Sequence, residues 1–347
     1  MPDTPRCTAC ILTYNRRQEV LTSLARLRGA GSLPAQDLEI IIVDNASTDG
    51  TDEAVRASYP DVHIVRSDRN QGTPGWNLAF ERATAPVILV LDDDAAMAGP
   101  MIQRALTVMS GDPGIGILSV DVVDPGTRHS FTRNRPYGIF SFWGCSVFLR
   151  TAMVRAIGGF DPAVFIYSHE CEYAIRAMKA GWRHAIDMSI EAEHRKDPAS
   201  YGGFSAWKVE QEFFSRHYAY LKHLTGLRRT RYLILAGINA VGGSLSHSWR
   251  TRRPNPALIM RFLSAWRRSW GVRATFFDAT ERLVCQWDPR VVIENTLFVG
   301  RFSRWNSLEH LCREQPDLFP DFDPYHFGKW RPVPPRTDRQ SEMTDAG

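Results

Sequence analysis

Five apolar, β-rich runs fall within the first 125 residues: CTACILT, LEIIIVD, VHIVRS, VILVLDD and IGILSVDVV. Most are apolar at successive positions, the pattern of strands buried on both faces of a mostly parallel sheet. Between them lie stretches of helical character at Arg16–Arg28, Thr51–Ser58, Pro74–Ala83 and Pro100–Ser110. This alternation predicts an α/β/α layered domain. Open sheets of that kind bind ligands outside the carboxyl ends of their strands. The loops that follow these runs are therefore where the chemistry is expected.

After Arg128 the pattern changes. The aromatic stretch YGIFSFW leads into GCSVFLR, a short helix, a GGFDP turn and then FIYSHECEYAIR. From about Leu227 the chain reads as helical and arginine-rich, and residues 331–347 have little to bury and read as a loose tail. The expected division is a layered domain over 1–225, a helical region over 226–330 and the tail. No internal repeat is visible.

A 347-residue chain with 44% hydrophobic and 23% charged residues has an ordinary globular composition. A net charge of +4 suits anionic small molecules but is too weak to argue for nucleic acid. The apolar run near the N-terminus is too short for a signal peptide, and YLILAGINAVGG is too short and glycine-broken to span a bilayer. A cytoplasmic protein is expected. Cys7 and Cys10 form a C-x-x-C with no second pair, and on a strand their spacing points them to opposite faces, which speaks against zinc.

The strongest local signal is Asp92-Asp93-Asp94, at the end of VILVLDDD. Adjacent carboxylates raise one another's pKa unless a cation neutralises them, and hard oxygen donors suit Mg²⁺ or Mn²⁺. Three further loops leave the same sheet edge. LTYNR brings Thr13 and Asn15, VDNASTDGT brings Asp44 and Asn45, and RNQGTPGWN brings Asn70, Gly72 and Asn77. Their amides, hydroxyl and carboxylate offer hydrogen bonds to a nucleobase and ribose. Ser47, Thr48 and Asp49 read as caps of the following helix. The chain has neither G-x-G-x-x-G after its first strand nor G-x-x-x-x-G-K-[ST], so dinucleotide and P-loop readings lack support.

The series LTYNR, VDNASTDGT, NQGTPGWN, LDDD, GGFDP and HECEYAIRAMKAGW, with His194 beyond, resembles glycosyltransferase family 2 from about Cys7 to Gly226. The late section is also similar to that of mycobacterial galactofuranosyltransferases. The resemblance implies a GT-A fold and an inverting, metal-dependent enzyme that uses a nucleotide-sugar donor. Residues 1–125 would then bind the donor, and 126–225 would hold the acceptor and catalytic part. Asp94 would bind Mn²⁺ or Mg²⁺ directly, Asp92 the ribose or the metal, and Asp44 the uracil or ribose, with Asp93 between them. Alone, His194 reads as a surface or satisfied histidine; the resemblance adds a metal-ligand reading. Where members have two adjacent acids, this chain has His169-Glu170.

Helical spacing puts Cys171, Ile175, Met178 and Trp182 on one apolar face, so Cys171 reads as a packing residue. Glu172 and Arg176 stand four apart, the spacing of an ion pair, and acceptor contact is the alternative for Glu172. Glu170, at the helix start and off that face, is the expected general base. Trp143, His169 and Glu172 are the candidate acceptor contacts, with a simple cap as the alternative for His169. The acceptor would be a hydroxyl of a glycan, lipid-linked sugar or natural product. The arginine-rich helices read first as an appendix covering the acceptor side with solvated arginines, and peripheral contact at the inner face of a membrane is the alternative. A sugar-phosphate nucleotidylyltransferase would need a glycine-rich basic loop where ILTYNRR stands, and an inactive nucleotide-sugar-binding module would not need Asp92–Asp94 and Glu170 together.

Overall fold

The computed structural model describes residues 4–29, 31–134, 141–195, 206–223, 226–251 and 256–272. The expected helical region beyond residue 272 and the tail at 331–347 lie outside the described residues. The first half reads β1 (Cys7–Thr13), α1 (Arg17–Leu27), β2 (Leu38–Asp44), α2 (Thr51–Ser58) and β3 (His63–Arg66). A 3₁₀ turn (Thr73–Trp76) and short α3 (Asn77–Phe80) lead to β4 (Val87–Asp92), β5 (Ala95–Ala96), α4 (Gly99–Gly111) and β6 (Ile115–Val123). Then come α5 (Phe131–Asn134), β7 (Ser146–Arg150), α6 (Thr151–Ile157), α7 (His169–Lys179) and β8 (Arg183–His194). Three longer helices follow: α8 (Ala206–His223), α9 (Gly226–Thr251) and α10 (Ala257–Val272).

The strands form one sheet in the order β3-β2-β1-β4-β7-β6-β8-β5. The β3-β2-β1-β4 half is parallel, as the apolar runs predict, and β6 is parallel to β8. The antiparallel pairs all involve β7 or the two-residue β5. The register sets Thr13 opposite Asp44 and Leu12 opposite Asp92, so β1, β2 and β4 end at one edge. Two apolar layers cover the sheet. Cys7 packs in one and Cys10 in the other, confirming opposite faces.

The expected helix at Pro74–Ala83 is broken into two short turns, because packing decides this segment. Trp76 is buried and donates its indole N–H to the Cys10 carbonyl at 3.2 Å. The Asn77 amide clamps the backbone of Phe160 from both sides, at 2.8 and 2.7 Å. Helix α7 is buried on two faces, not one. Tyr173, Ala174 and Ala177 face the sheet, while Cys171 and Ile175 face α8 and α9. Trp182 lies past the helix end and packs on the sheet side.

What fixes α7 is an interior ion cluster. Glu172 is fully buried and accepts from Arg176 at 2.8 Å, Lys222 at 2.7 Å and His223 at 3.2 Å. Lys222 also reaches Asp161 at 2.6 Å, and Arg176 donates to the carbonyls of Ile157 and Gly159. Burial alone would raise the Glu172 pKa, but Arg176, His223 and Lys222 outweigh it and hold the carboxyl well below its ordinary 4.5. Its stabilising contribution is therefore present above that ordinary value and is lost as pH falls through the lower folded one. Removing one member strands buried charge, which costs about 3–5 kcal/mol. Glu172→Ala is expected to lose stability of that order in urea unfolding at neutral pH. A loss under about 1 kcal/mol, the scale of exposed pairs, would contradict the account.

Candidate active site

The end of β4 places three carboxylates in three environments. Asp93 is buried, accepts from the Thr13 hydroxyl at 2.9 Å and lies 3.3 Å from the Arg16 guanidinium. Desolvation pushes its pKa up to about 7 despite Arg16. Asp94, also buried, is held at 2.9 Å by Arg16 and lies 3.0 Å from His194 Nε2. Burial works against its charge, but His194 and Arg16 lower its pKa overall. Asp92 keeps 37% of its side chain exposed. Withheld solvation and the charge of Asp94 bring it to about 6.

His194 ends β8 and pairs with Ala95 of β5, which carries its ring beside Asp94. Burial opposes its protonation, but Cys145 and Asp94 push its pKa up to about 11. A carboxylate oxygen of Asp92, the Cys145 sulfur and a ring nitrogen of His194 lie within 4.8 Å of one another. Carboxylates, an imidazole and a thiol converging on a strand end are a donor set that fits a divalent ion.

The neighbouring loops are tied to one another by side chains expected to meet the donor. Asn15 accepts from the Thr48 N–H at 2.7 Å, while its own N–H donates to Ser47 Oγ. Thus Ser47 and Thr48 join two loops, and only Asp49 receives the helix-start N–H, that of Thr51 at 3.1 Å. Asn45 donates to Asn70 at 2.9 Å and to the Gly72 carbonyl, and accepts from the Gln71 N–H. Asn70 in turn accepts from the Gly72 N–H. Gly72 has φ of +67°, and a Cβ there would fall 2.0 Å from the Phe165 carbonyl oxygen, so only glycine fits. Asp44 is buried, with Oδ1 accepting from the Ser47 N–H and Oδ2 lying 3.2 Å from Arg66 without a hydrogen bond.

Glu170 occupies the first turn of α7 with 19% of its side chain exposed. Burial pushes its carboxyl up to about 7, although the Gly144 N–H bonds to it. A Cβ on Gly144 would lie 2.8 Å from Glu170 Oε1, and the next residue, Cys145, accepts from the Asp92 N–H at 3.1 Å, so one short turn brings Glu170 towards the end of β4. His169 is buried, stacks on Trp76 and meets Phe160 edge-on, with its Nδ1 3.2 Å from Glu170. Desolvation drops its pKa to about 3, so the ring is neutral. Trp143 is partly buried, its ring 5.9 Å from Phe131. Glu172 is directed elsewhere; its carboxylate faces α8 within the ion cluster.

Sequence reasoning missed Arg16, Gly144 and Cys145. Arg16 had a signal, because three adjacent aspartates call for a cation and LTYNR leaves the neighbouring strand. Gly144 and Cys145 had none, since the chain brings them to the site through long-range pairing. A Cβ on Gly144 would lie 2.8 Å from both Glu170 Oε1 and His169 Nε2.

Residues 8–185, just over half of the chain, match the family model for Glycosyl transferase family 2. The N-acetylglucosaminyl-diphospho-decaprenol L-rhamnosyltransferase of Mycobacterium tuberculosis is 25% identical over 247 residues, covering 55% of this chain and 78% of its own. Glycosyltransferase AglE of Haloferax volcanii is 26% identical over 210 residues, covering 56% and 68%. Among solved structures, mannosyltransferase PcManGT from Pyrobaculum calidifontis, in complex with GDP-Man and Mn²⁺, superposes with a TM-score of 0.50 at 20% identity over 80% of this chain and 90% of its own. S. aureus TarS 1-349 with UDP-GlcNAc gives 0.51 at 15% identity, over 77% and 83%. These structures share the fold with this chain. With its layered sheet and the match over residues 8–185, the chain belongs to glycosyltransferase family 2 and is a transferase of GT-A architecture.

Proposed function

We propose that this enzyme moves a sugar from a nucleoside-diphosphate sugar, with UDP or dTDP as the nucleotide, to an acceptor hydroxyl with inversion. What supports the reading is that Glu170, whose carboxyl burial pushes up to about 7, is bonded by the Gly144 N–H, next to Cys145, whose carbonyl accepts from the Asp92 N–H at the end of β4. Asp92, Asp94 and His194 would hold Mn²⁺ or Mg²⁺. An ion held by these residues would supply the positive charge that a leaving diphosphate needs. Glu170 takes the proton of the attacking hydroxyl as the new bond forms. The Gly144 N–H holds that carboxylate in place, with the neutral His169 ring packed beside it.

Asp44, whose Oδ2 is buried without a hydrogen bond, is the natural acceptor for a nucleobase or ribose donor, with Thr13 beside it. Asn15, Asn45, Asn70, Gly72 and Asn77 would shape the donor site by fixing its loops. Trp143 and His169 lie on the acceptor side, and Glu172 positions α7.

The mycobacterial relative is named for a lipid-linked diphospho-sugar, and an acceptor of that class suits the far helices. Ile234, Ile238, Val241 and Leu245 form an exposed apolar stripe on α9, and Met260, Leu263, Trp266 and Trp270 form one on α10. Both helices carry arginines and contain no Asp or Glu. Apolar stripes with Trp and arginine match an anionic lipid surface. Among the described residues, no helix is long and apolar enough to cross a membrane.

Activity is expected to rise with pH through about 7, because Glu170 must lose its proton to act. Glu170→Gln should remove that limb and reduce transfer by about 10²–10⁴, and proton NMR of the wild-type product should show an inverted anomeric centre. Unchanged turnover in Glu170→Gln, or retention, would overturn the mechanism. Co-sedimentation with phosphatidylglycerol vesicles should exceed that with phosphatidylcholine and fall several-fold in Ile238→Asp/Leu245→Asp. Equal recovery with both lipids would contradict the membrane contact.

A further inference from the structure

We infer that Cys145 is a ligand of the cation at the end of β4, which gives this site sulfur as well as oxygen and nitrogen. It then holds a thiophilic divalent ion, Zn²⁺ or Co²⁺, more tightly than Mg²⁺. The inference rests on reading the aspartate end as a cation site and concerns which ion that site prefers.

The geometry is built by three separate elements. Asp92 ends β4, His194 ends β8, and Cys145 stands just before β7. The Asp92 N–H donates to the Cys145 carbonyl at 3.1 Å, so the β4–β7 ladder pins the cysteine beside the aspartate. The β5–β8 pair pins His194 on the other side. Cys145 is 5% exposed and His194 8%, so neither donor is a surface group that arrived by chance. Among the described residues, this is the one set of three such donors found within that distance.

A buried cysteine is commonly a small apolar filler. Cys7 and Cys10 fit that description, enclosed within the two sheet layers. Cys145 packs in the same layer as Cys7, but its sulfur also lies within 4.8 Å of a His194 ring nitrogen and an Asp92 carboxylate oxygen. In a tetrahedral centre with a metal–sulfur bond of roughly 2.3 Å and metal–nitrogen or metal–oxygen bonds of roughly 2.0 Å, adjacent donors stand roughly 3.3–3.7 Å apart. The three donors, already within 4.8 Å, need only a small closure. Asp92 is free to supply it, being the most exposed of the three aspartates.

Soft thiolate with imidazole favours zinc-like ions, whereas an all-oxygen set favours Mg²⁺. On binding, the S–H bond of Cys145 is replaced by a sulfur–metal bond and the proton passes to solvent. Asp94 remains beside His194 to complete the set or to meet the donor's charge.

The test is a Co²⁺ titration of the metal-stripped full chain, followed by absorption spectroscopy. Bound Co²⁺ should show ligand-field bands in the visible and a sulfur-to-cobalt charge-transfer band in the near ultraviolet. Cys145→Ser should keep the former and lose the latter. It should also weaken Zn²⁺ binding by at least about tenfold while leaving Mg²⁺ binding unchanged. Ligand-field bands with no charge-transfer band in the unaltered chain would overturn the inference and leave the cation site standing. No bound Co²⁺ at all would overturn both. Should Cys145→Ser fail to fold, X-ray absorption at the zinc edge of the unaltered protein decides. A sulfur shell at about 2.3 Å at one zinc per chain supports Cys145, and a shell of oxygen and nitrogen alone refutes it.

Discussion

Three adjacent carboxylates at the end of a buried strand cannot remain charged without compensation, and much of the structure around β4 answers that demand. Arg16 arrives from the loop after β1 and His194 from the end of β8, and each meets Asp94. Thr13 donates to Asp93. The compensation is incomplete, since Asp92 and Asp93 stay well above the ordinary carboxylate range. A strand end left short of positive charge is ready for a cation and the phosphates that accompany it.

The second constraint is that Glu170, the proposed base, must stand near this end without joining it. A single turn does both jobs. Trp143, Gly144 and Cys145 lie between the two groups, with the Gly144 N–H bonded to Glu170 and the Cys145 carbonyl bonded to the Asp92 N–H. The loop at Gly72 is pressed against Phe165, and the Thr73 N–H donates to the Phe165 carbonyl at 2.8 Å. The loop after β3 and the segment that leads into α7 are therefore packed as one unit. Such rigidity is what holds reacting groups within attack distance. Helix α7 is locked from behind by the Glu172 cluster, so the position of Glu170 depends on α8 as much as on the sheet.

Much of this was legible in the chain. The apolar runs placed β1, β2, β4 and β6 almost to the residue, because strands buried on both faces have no polar alternation to blur them. The order of the motifs identified the family. Local contacts were legible too, including the Glu172–Arg176 pair at helical spacing. Side-chain partners distant in sequence were not. The asparagines of the three loops read as free hydrogen-bonding groups, yet their amides tie loop to loop across 25 to 83 residues. Helix α8 sends Lys222 and His223 to Glu172 from about 50 residues away. Likewise, Cys145 meets His194 only because β7 and β8 both pair with β6.

At the centre of this account is a division of labour, with the cation and donor held at the end of β4 and the proton taken by Glu170. Calorimetric titration of UDP and dTDP in the presence of Mn²⁺ tests it most directly. The unaltered chain and Glu170→Gln should bind the preferred nucleotide with closely similar affinity, and Asp94→Ala should lose most of that binding. Full binding by Asp94→Ala, or loss of binding in Glu170→Gln, would contradict the division.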